Sequence, residues 1–171
     1  MEKKAQVWVE TVIYTLIGLA IIGIILAASK PKIEEMKDKI LIEQTIESLN
    51  EISSKIHEVQ IAAGNRRVFP LGVSEGTFYV NGQSDEIGWT LDSTYKYSEL
   101  DRIVPLGNML VVTTAGSPYL VKFYIDYQEN ISFAGSDELK NFAGSPTPYK
   151  LIIENKGVDS GNRNNIDLNV G

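Results

Sequence analysis

The chain has 171 residues, 43% of them hydrophobic and 22% charged, with a formal net charge of -6 and no cysteine. That length holds one domain of ordinary size plus an anchor, and the composition is that of a folded chain. It excludes thiol nucleophiles, disulfides and zinc–thiolate sites, lacks the basic excess of a nucleic-acid binder, and leaves one histidine, His57, for any imidazole chemistry.

The first element is an apolar helix. The 18 residues from Thr11 to Ala28 carry no charge and are rich in Ile, Leu and Gly. At 1.5 Å per residue they extend about 27 Å, close to the roughly 30 Å hydrocarbon core of a bilayer. Three readings compete: a cleaved secretory signal, a permanent signal anchor, and a pilin-type leader. A secretory signal has a shorter apolar core and a small-residue cleavage site. Here the run is longer, Glu10 precedes it, and Ala27-Ala28-Ser29 is a weak site. Lys3 and Lys4 before the span balance Lys30 and Lys32 after it, so the positive-inside rule gives a tie. The short N-terminal stub is the easier side to retain, which places the long C-terminal part outside. Gly18 and Gly23 do not have the four-residue spacing of the glycine dimer motif.

The residues before the span decide among the three. They run Lys3-Lys4-Ala5-Gln6-Val7-Trp8-Val9-Glu10. This start resembles the class III signal peptide of archaeal type IV pilins and archaellins. There, two basic residues and a small residue precede the cut, a glutamine often begins the mature chain, and a glutamate lies fifth in it. Lys3 and Lys4 match the basic pair, Ala5 the small residue, Gln6 the new N-terminus and Glu10 the glutamate. Trp8 and Tyr14 stand where the family often has Ser and Leu. The resemblance covers roughly the first 28 residues. It implies cleavage between Ala5 and Gln6 by a prepilin peptidase, and filament assembly through the helix that stays in the mature chain. It also implies that the α-amine of Gln6 in one subunit pairs with Glu10 of a neighbour and sets register. A carboxylate at such a depth is costly without a partner, up to roughly 2.5–3.5 kcal/mol at the centre of a spanning helix. The plain alternative for Glu10 is an interfacial carboxylate beside Trp8.

After Ser29-Lys30-Pro31 the pattern becomes amphipathic. Ile33, Met36, Ile40, Ile42, Ile46, Leu49, Ile52, Ile56, Val59 and Ala63 recur mostly at three- and four-residue steps, with mixed charges on the other face. Pro31 either begins this helix or kinks one continuous helix, and Gly64-Asn65 end it. The stripe is expected to pack under the following domain rather than pair as a coiled coil, because its spacing drifts from a heptad. His57 lies off the stripe, as a surface residue. Arg66-Arg67 reads as a complement to the helix dipole or as plain surface.

From Val68 on, strands and turns are expected. Gly76–Val80 and Glu86–Leu91 flank Asn81-Gly82, a turn signal within a loop longer than two residues. Met109–Thr114 and Tyr119–Tyr127 flank Ala115–Pro118. Val121, Phe123 and Ile125 alternate with Lys122, Tyr124 and Asp126, giving one apolar face. Tyr149–Glu154 and Ile166–Val170 are the last strands. Asp159–Asn165 is a polar turn, since its oxygen donors miss the alternation of an EF-hand loop. Asn130-Ile131-Ser132 is an N-glycosylation sequon.

The expected fold is therefore α+β: a long N-terminal helix, both membrane span and amphipathic stalk, followed by a mostly antiparallel, sandwich-like β domain. The expected organisation is a leader (1–5), a spanning or filament-core helix (6–29), a stalk (30–65) and an extracytoplasmic β domain (66–171). The resemblance implies a structural subunit of a cell-surface filament, a membrane protein whose partners are its own copies, the peptidase and the assembly machinery. No catalytic residue, cofactor, metal or direct nucleic-acid contact is expected. The rival is a single-pass binding module that stays in the membrane; a membrane-anchored hydrolase built on Asp92, Asp101 or Asp126 has no supporting spacing.

Overall fold

The computed structural model describes residues 2–159 and 161–171, with side chains described from Val7 onward. Helix α1 (Glu2–Gln60) is followed by strands β1 (Arg66–Leu71), β2 (Thr77–Asn81), β3 (Glu86–Ser93), β4 (Ile103–Leu106) and β5 (Met109–Thr114). Strands β6 (Tyr119–Asp126), β7 (Asn130–Phe133), β8 (Lys140–Ala143), β9 (Tyr149–Val158) and β10 (Asn164–Val170) complete the chain. The fold is thus α+β, a long helix and a mostly antiparallel two-sheet domain, as the sequence pattern predicts. The chain divides into two compact units, Met1–Lys37 and Asp38–Gly171, and the division falls inside α1.

In the first unit the helix passes through Pro31 without interruption. Of the two readings of that proline, the start of a new helix is therefore incorrect. Pro31 has no N–H to offer the carbonyl one turn back. The turn around it carries side-chain pairs instead: Ser29 Oγ donates to Ile25 O at 2.8 Å, and Lys32 Nζ reaches Glu35 Oε2 at 2.7 Å.

In the second unit the rest of α1 lies in a core shared with both sheets. Ile42, Leu49, Ile52, Ile56 and Val59 are fully buried, with Ile46 partly buried beside them. Their three- and four-residue steps put them on one side of the helix. This is the expected packing under the domain. The expected single stripe is two faces, though: Ile33, Met36 and Ile40 are 53%, 64% and 53% exposed, whereas Ile42, about 200° around the helix from Ile40, is fully buried with the later members. The helix ends at Gln60, a turn earlier than Gly64-Asn65, and Gly64 takes the positive φ of 82° that reverses the chain. Asn155 completes this end. Its Nδ2 donates to Val59 O at 3.1 Å, supplying one of the terminal carbonyls that helical bonding leaves open.

One sheet has the order β1-β9-β10-β7, the other β4-β5-β6-β3-β2-β8. Every pairing is antiparallel except β7 with β10, which run parallel. The two hairpins expected from Asn81-Gly82 and Ala115–Pro118 are β2–β3 and β5–β6. Strands β1, β4, β7 and β8 lie outside the expected set. Both β1 and β4 are sheet edges and carry Pro70 and Pro105. Proline is tolerated at an edge and weakens the strand signal in sequence. Arg66-Arg67 accordingly belongs to β1 rather than to a helix end, and Arg67 Nε pairs with Glu58 Oε2 at 2.8 Å.

Ile52→Ala should destabilise the second unit by about 2–5 kcal/mol, the usual range for a buried Ile-to-Ala cavity. Ile40→Ala, on the exposed face with Ile33 and Met36, should change stability by less than about 0.5 kcal/mol. Urea unfolding of the detergent-solubilised full chain, followed by tryptophan fluorescence of Trp89, distinguishes them; equal losses would place the stripe in a single environment.

Candidate assembly helix and surfaces of the second unit

The apolar part of α1 is an exposed surface from end to end. An 18-residue window of it contains no buried residue and meets the length and composition needed to cross a membrane. Its threonine hydroxyls are bonded back onto the helix itself. Thr11 Oγ1 donates to Val7 O at 2.9 Å and Thr15 Oγ1 donates to Thr11 O at 2.8 Å. Hydroxyls bonded this way do not need water, so the helix surface can lie in lipid or against other apolar helices. Trp8 and Tyr14 are 70% and 71% exposed and project at the end nearest Glu10. Glu10 is also exposed. Gly18 and Gly23 have open space where a side chain would be. The side chains of Lys3, Lys4, Ala5 and Gln6 lie outside the described residues.

The second unit presents a different chemistry. On the outer face of the six-stranded sheet, Tyr79, Glu86, Lys122, Tyr124 and Asp126 meet. They occupy the positions that alternate with the core residues Phe78, Val80, Ile87, Phe123 and Ile125. Tyr79 Oη donates to Glu86 Oε1, and Lys122 Nζ lies 2.8 Å from the same oxygen. The ammonium also sits 4.3 Å from the Tyr124 ring centroid, a cation–π contact. Gly88 makes this possible, since a Cβ there would strike the Tyr79 ring. Burial, then Glu86, pushes the Tyr79 phenol above its ordinary range. Asp126 is exposed at the strand end, and partial loss of water beside the sheet, with the facing Glu86 carboxylate, raises its carboxyl, which Lys122 only partly offsets.

Asp159 begins the β9–β10 turn. Its Oδ1 accepts from Gly161 N at 2.8 Å and Arg163 N at 2.9 Å, and these bonds hold its carboxyl below the usual range. The stretch is a hairpin turn closed by its own carboxylate, the polar turn expected from sequence; Ser160 lies outside the described residues. Among the described residues, no three of His, Asp and Glu converge on a metal-sized site.

A recess of about 280 Å³ is lined by Ser53, His57, Asn108, Asp126 and Tyr127. Ser, His and Asp share it, which the placement of His57 on the stalk does not suggest. Their bonds do not form a catalytic relay. Ser53 Oγ accepts from Asn108 Nδ2 at 3.1 Å, and His57 Nδ1 is 3.1 Å from Gln60 Oε1. A relay needs the nucleophile bonded to the base. An apolar recess of about 500 Å³ lies beside β4, lined by Tyr97, Ile103, Pro105 and Leu106. Asp92 and Asp101 are exposed and outside both recesses.

Asn130 begins β7 and is half-buried. Its sequon was legible in sequence, but the strand that holds it was not.

The Asp126 carboxyl should titrate above the ordinary aspartate value, and Glu86→Gln should bring it down, read by carboxyl NMR. Folding favours its protonated form, so its contribution to stability is present at low pH. That contribution is lost as pH rises from the unfolded value through the folded one. A midpoint unmoved by Glu86→Gln would mean that burial alone sets it.

No family model, curated protein or solved structure matches the chain.

Proposed function

We propose that the chain is a structural subunit of an archaeal type IV pilus-like surface filament. In this reading a prepilin peptidase removes residues 1–5 and the mature chain begins at Gln6. The observation that carries it is an apolar helix with no buried residue, directly preceded by Lys3-Lys4-Ala5-Gln6, with Glu10 four residues on. Cleavage at that point leaves the helix attached to the second unit. One surface then serves twice: in the membrane before assembly, and against other copies of the same helix afterward. The physical basis is that packed apolar helices offer an environment as apolar as lipid.

Glu10 has the positioning role. A new α-amine on Gln6 is a cation, and pairing with a carboxylate of a neighbouring copy offsets the cost of holding either charge in an apolar bundle. Only one axial offset between copies satisfies the pair, so it selects register. The β unit lies outward and forms the filament exterior, where Asn130 is an acceptor for glycan. The chain does its work by geometry, with no catalytic group assigned.

The first test is the intact mass and N-terminal peptide of the protein from its own host. A mature chain starting at Gln6 is expected. Retention of Lys3 and Lys4 would sink the filament reading and favour a single-pass binding module. A chain starting at Lys30 would mean a released domain and overturn both.

Glu10→Gln should insert into the membrane and be processed normally, but filament yield should fall at least about tenfold, the factor that corresponds to 1.4 kcal/mol. Sheared-filament recovery against membrane-fraction protein measures it. Wild-type yield from the variant would remove Glu10 from assembly.

A further inference from the structure

The sequon Asn130-Ile131-Ser132 is built into the sheet at each of its three residues. Strand β7 pairs in parallel with β10, with Ile131 opposite Ile166 and Ser132 opposite Asp167. Ile131 is fully buried in the core, and its N–H donates to Asp85 Oδ1 at 2.9 Å. Ser132 is 5% exposed, and its hydroxyl donates to Asp167 Oδ1 at 2.8 Å. The same oxygen accepts Gly135 N at 2.8 Å.

The anchors are themselves held. Asp85 Oδ2 accepts from Arg163 Nη1 at 2.8 Å, and Asp85 O accepts from Tyr127 N at 2.9 Å. Asp85 has a φ of 51°, the left-handed region, which turns its side chain and carbonyl toward two different segments. Asp167 is 8% exposed, so releasing the Ser132 hydroxyl leaves a buried carboxylate short of a donor. Opening β7 therefore breaks a ladder, two side-chain latches and the burial of Ile131 together.

Glycan transfer to asparagine has its own requirements. The Asn130 Nδ2 bonds to the anomeric carbon of a lipid-linked sugar, and the bond from that carbon to the lipid phosphate breaks. The phosphate leaves with the electron pair, and the amide gives up one proton. The transferase holds the acceptor as a free extended segment and grips the hydroxyl two residues after the asparagine. In the folded unit that hydroxyl is buried and already committed to Asp167.

We propose that Asn130 is a glycan acceptor only before β7 docks on β10, so that folding of the second unit ends its availability. A sugar already in place does not oppose folding, because Asn130 itself is only half-buried at the start of the strand. Occupancy is then set by the race between transfer and folding rather than by accessibility of the finished domain. Its occurrence in the cell rests on the outward placement proposed above. With purified components it succeeds or fails separately from filament assembly.

The test incubates three acceptors with a purified single-subunit oligosaccharyltransferase and lipid-linked oligosaccharide. They are the folded full chain in detergent, its Asp167→Ala variant, and a synthetic peptide of residues 124–138. An unrelated sequon peptide confirms that the enzyme is active, and mass spectrometry reads the products. The peptide should be modified, and the folded chain about 100-fold or more slowly, since only locally opened molecules can be bound. Asp167→Ala should recover a several-fold faster rate. Equal rates for folded chain and peptide would overturn the proposal. So would an unmodified 124–138 peptide beside a modified control, or an Asp167→Ala chain no faster than wild type.

Discussion

Burial of one stripe of α1 underlies the architecture of the second unit. Ile42, Leu49, Ile52, Ile56 and Val59 are each fully buried, in one cluster with residues of both sheets. Each such side chain contributes about 1.5–3 kcal/mol by leaving water. The two sheets are small and carry four and six strands. With the helix they bury one shared core, and the polar links gather around that packing. Asp38 accepts both the backbone N–H and the hydroxyl of Thr94 at 2.6 Å, and Asn155 closes the helix end. These bonds lie at the start and end of the buried stretch, so they position the helix along its axis as well as satisfying polar groups.

The first unit obeys the opposite rule. Its apolar side chains are exposed, and its threonine hydroxyls are bonded within the helix. In water such a surface is unfavourable; in lipid or in a bundle of like helices it is matched. A single helix thus carries two kinds of apolar surface, one satisfied within its own chain and one that needs other surroundings. The filament proposal follows from that second kind together with the residues before it.

The outer face of the larger sheet shows a further division of labour. Its core side is mostly apolar, with Ser93 and Thr113 buried among the apolar residues, whereas the outer side joins two tyrosines, a lysine and two carboxylates. Such a face stays polar enough to remain in water while its rings cover the backbone. The pattern was legible in β6, where Lys122, Tyr124 and Asp126 alternate with apolar neighbours. Gly88 was not legible as a partner of Tyr79, because strand register decides which residue meets a ring across the sheet.

Periodicity, composition and spacing by themselves determined the apolar helix, the amphipathic stretch after it, the strongly alternating strands and the sequon. These are local properties: a run without charge, a step of three or four, a step of two, a triplet. Only the tertiary structure decided which face of the helix is covered: Ile40 and Ile42 lie about 200° apart around it, and the domain packs on the side of Ile42. It also decided the edge strands β1 and β4, whose prolines argue against a strand until an open edge accommodates them. The parallel pairing of β7 with β10 belongs to the same class. It joins segments more than thirty residues apart through Ser132 and Asp167, and no short window of sequence contains both partners of such a contact.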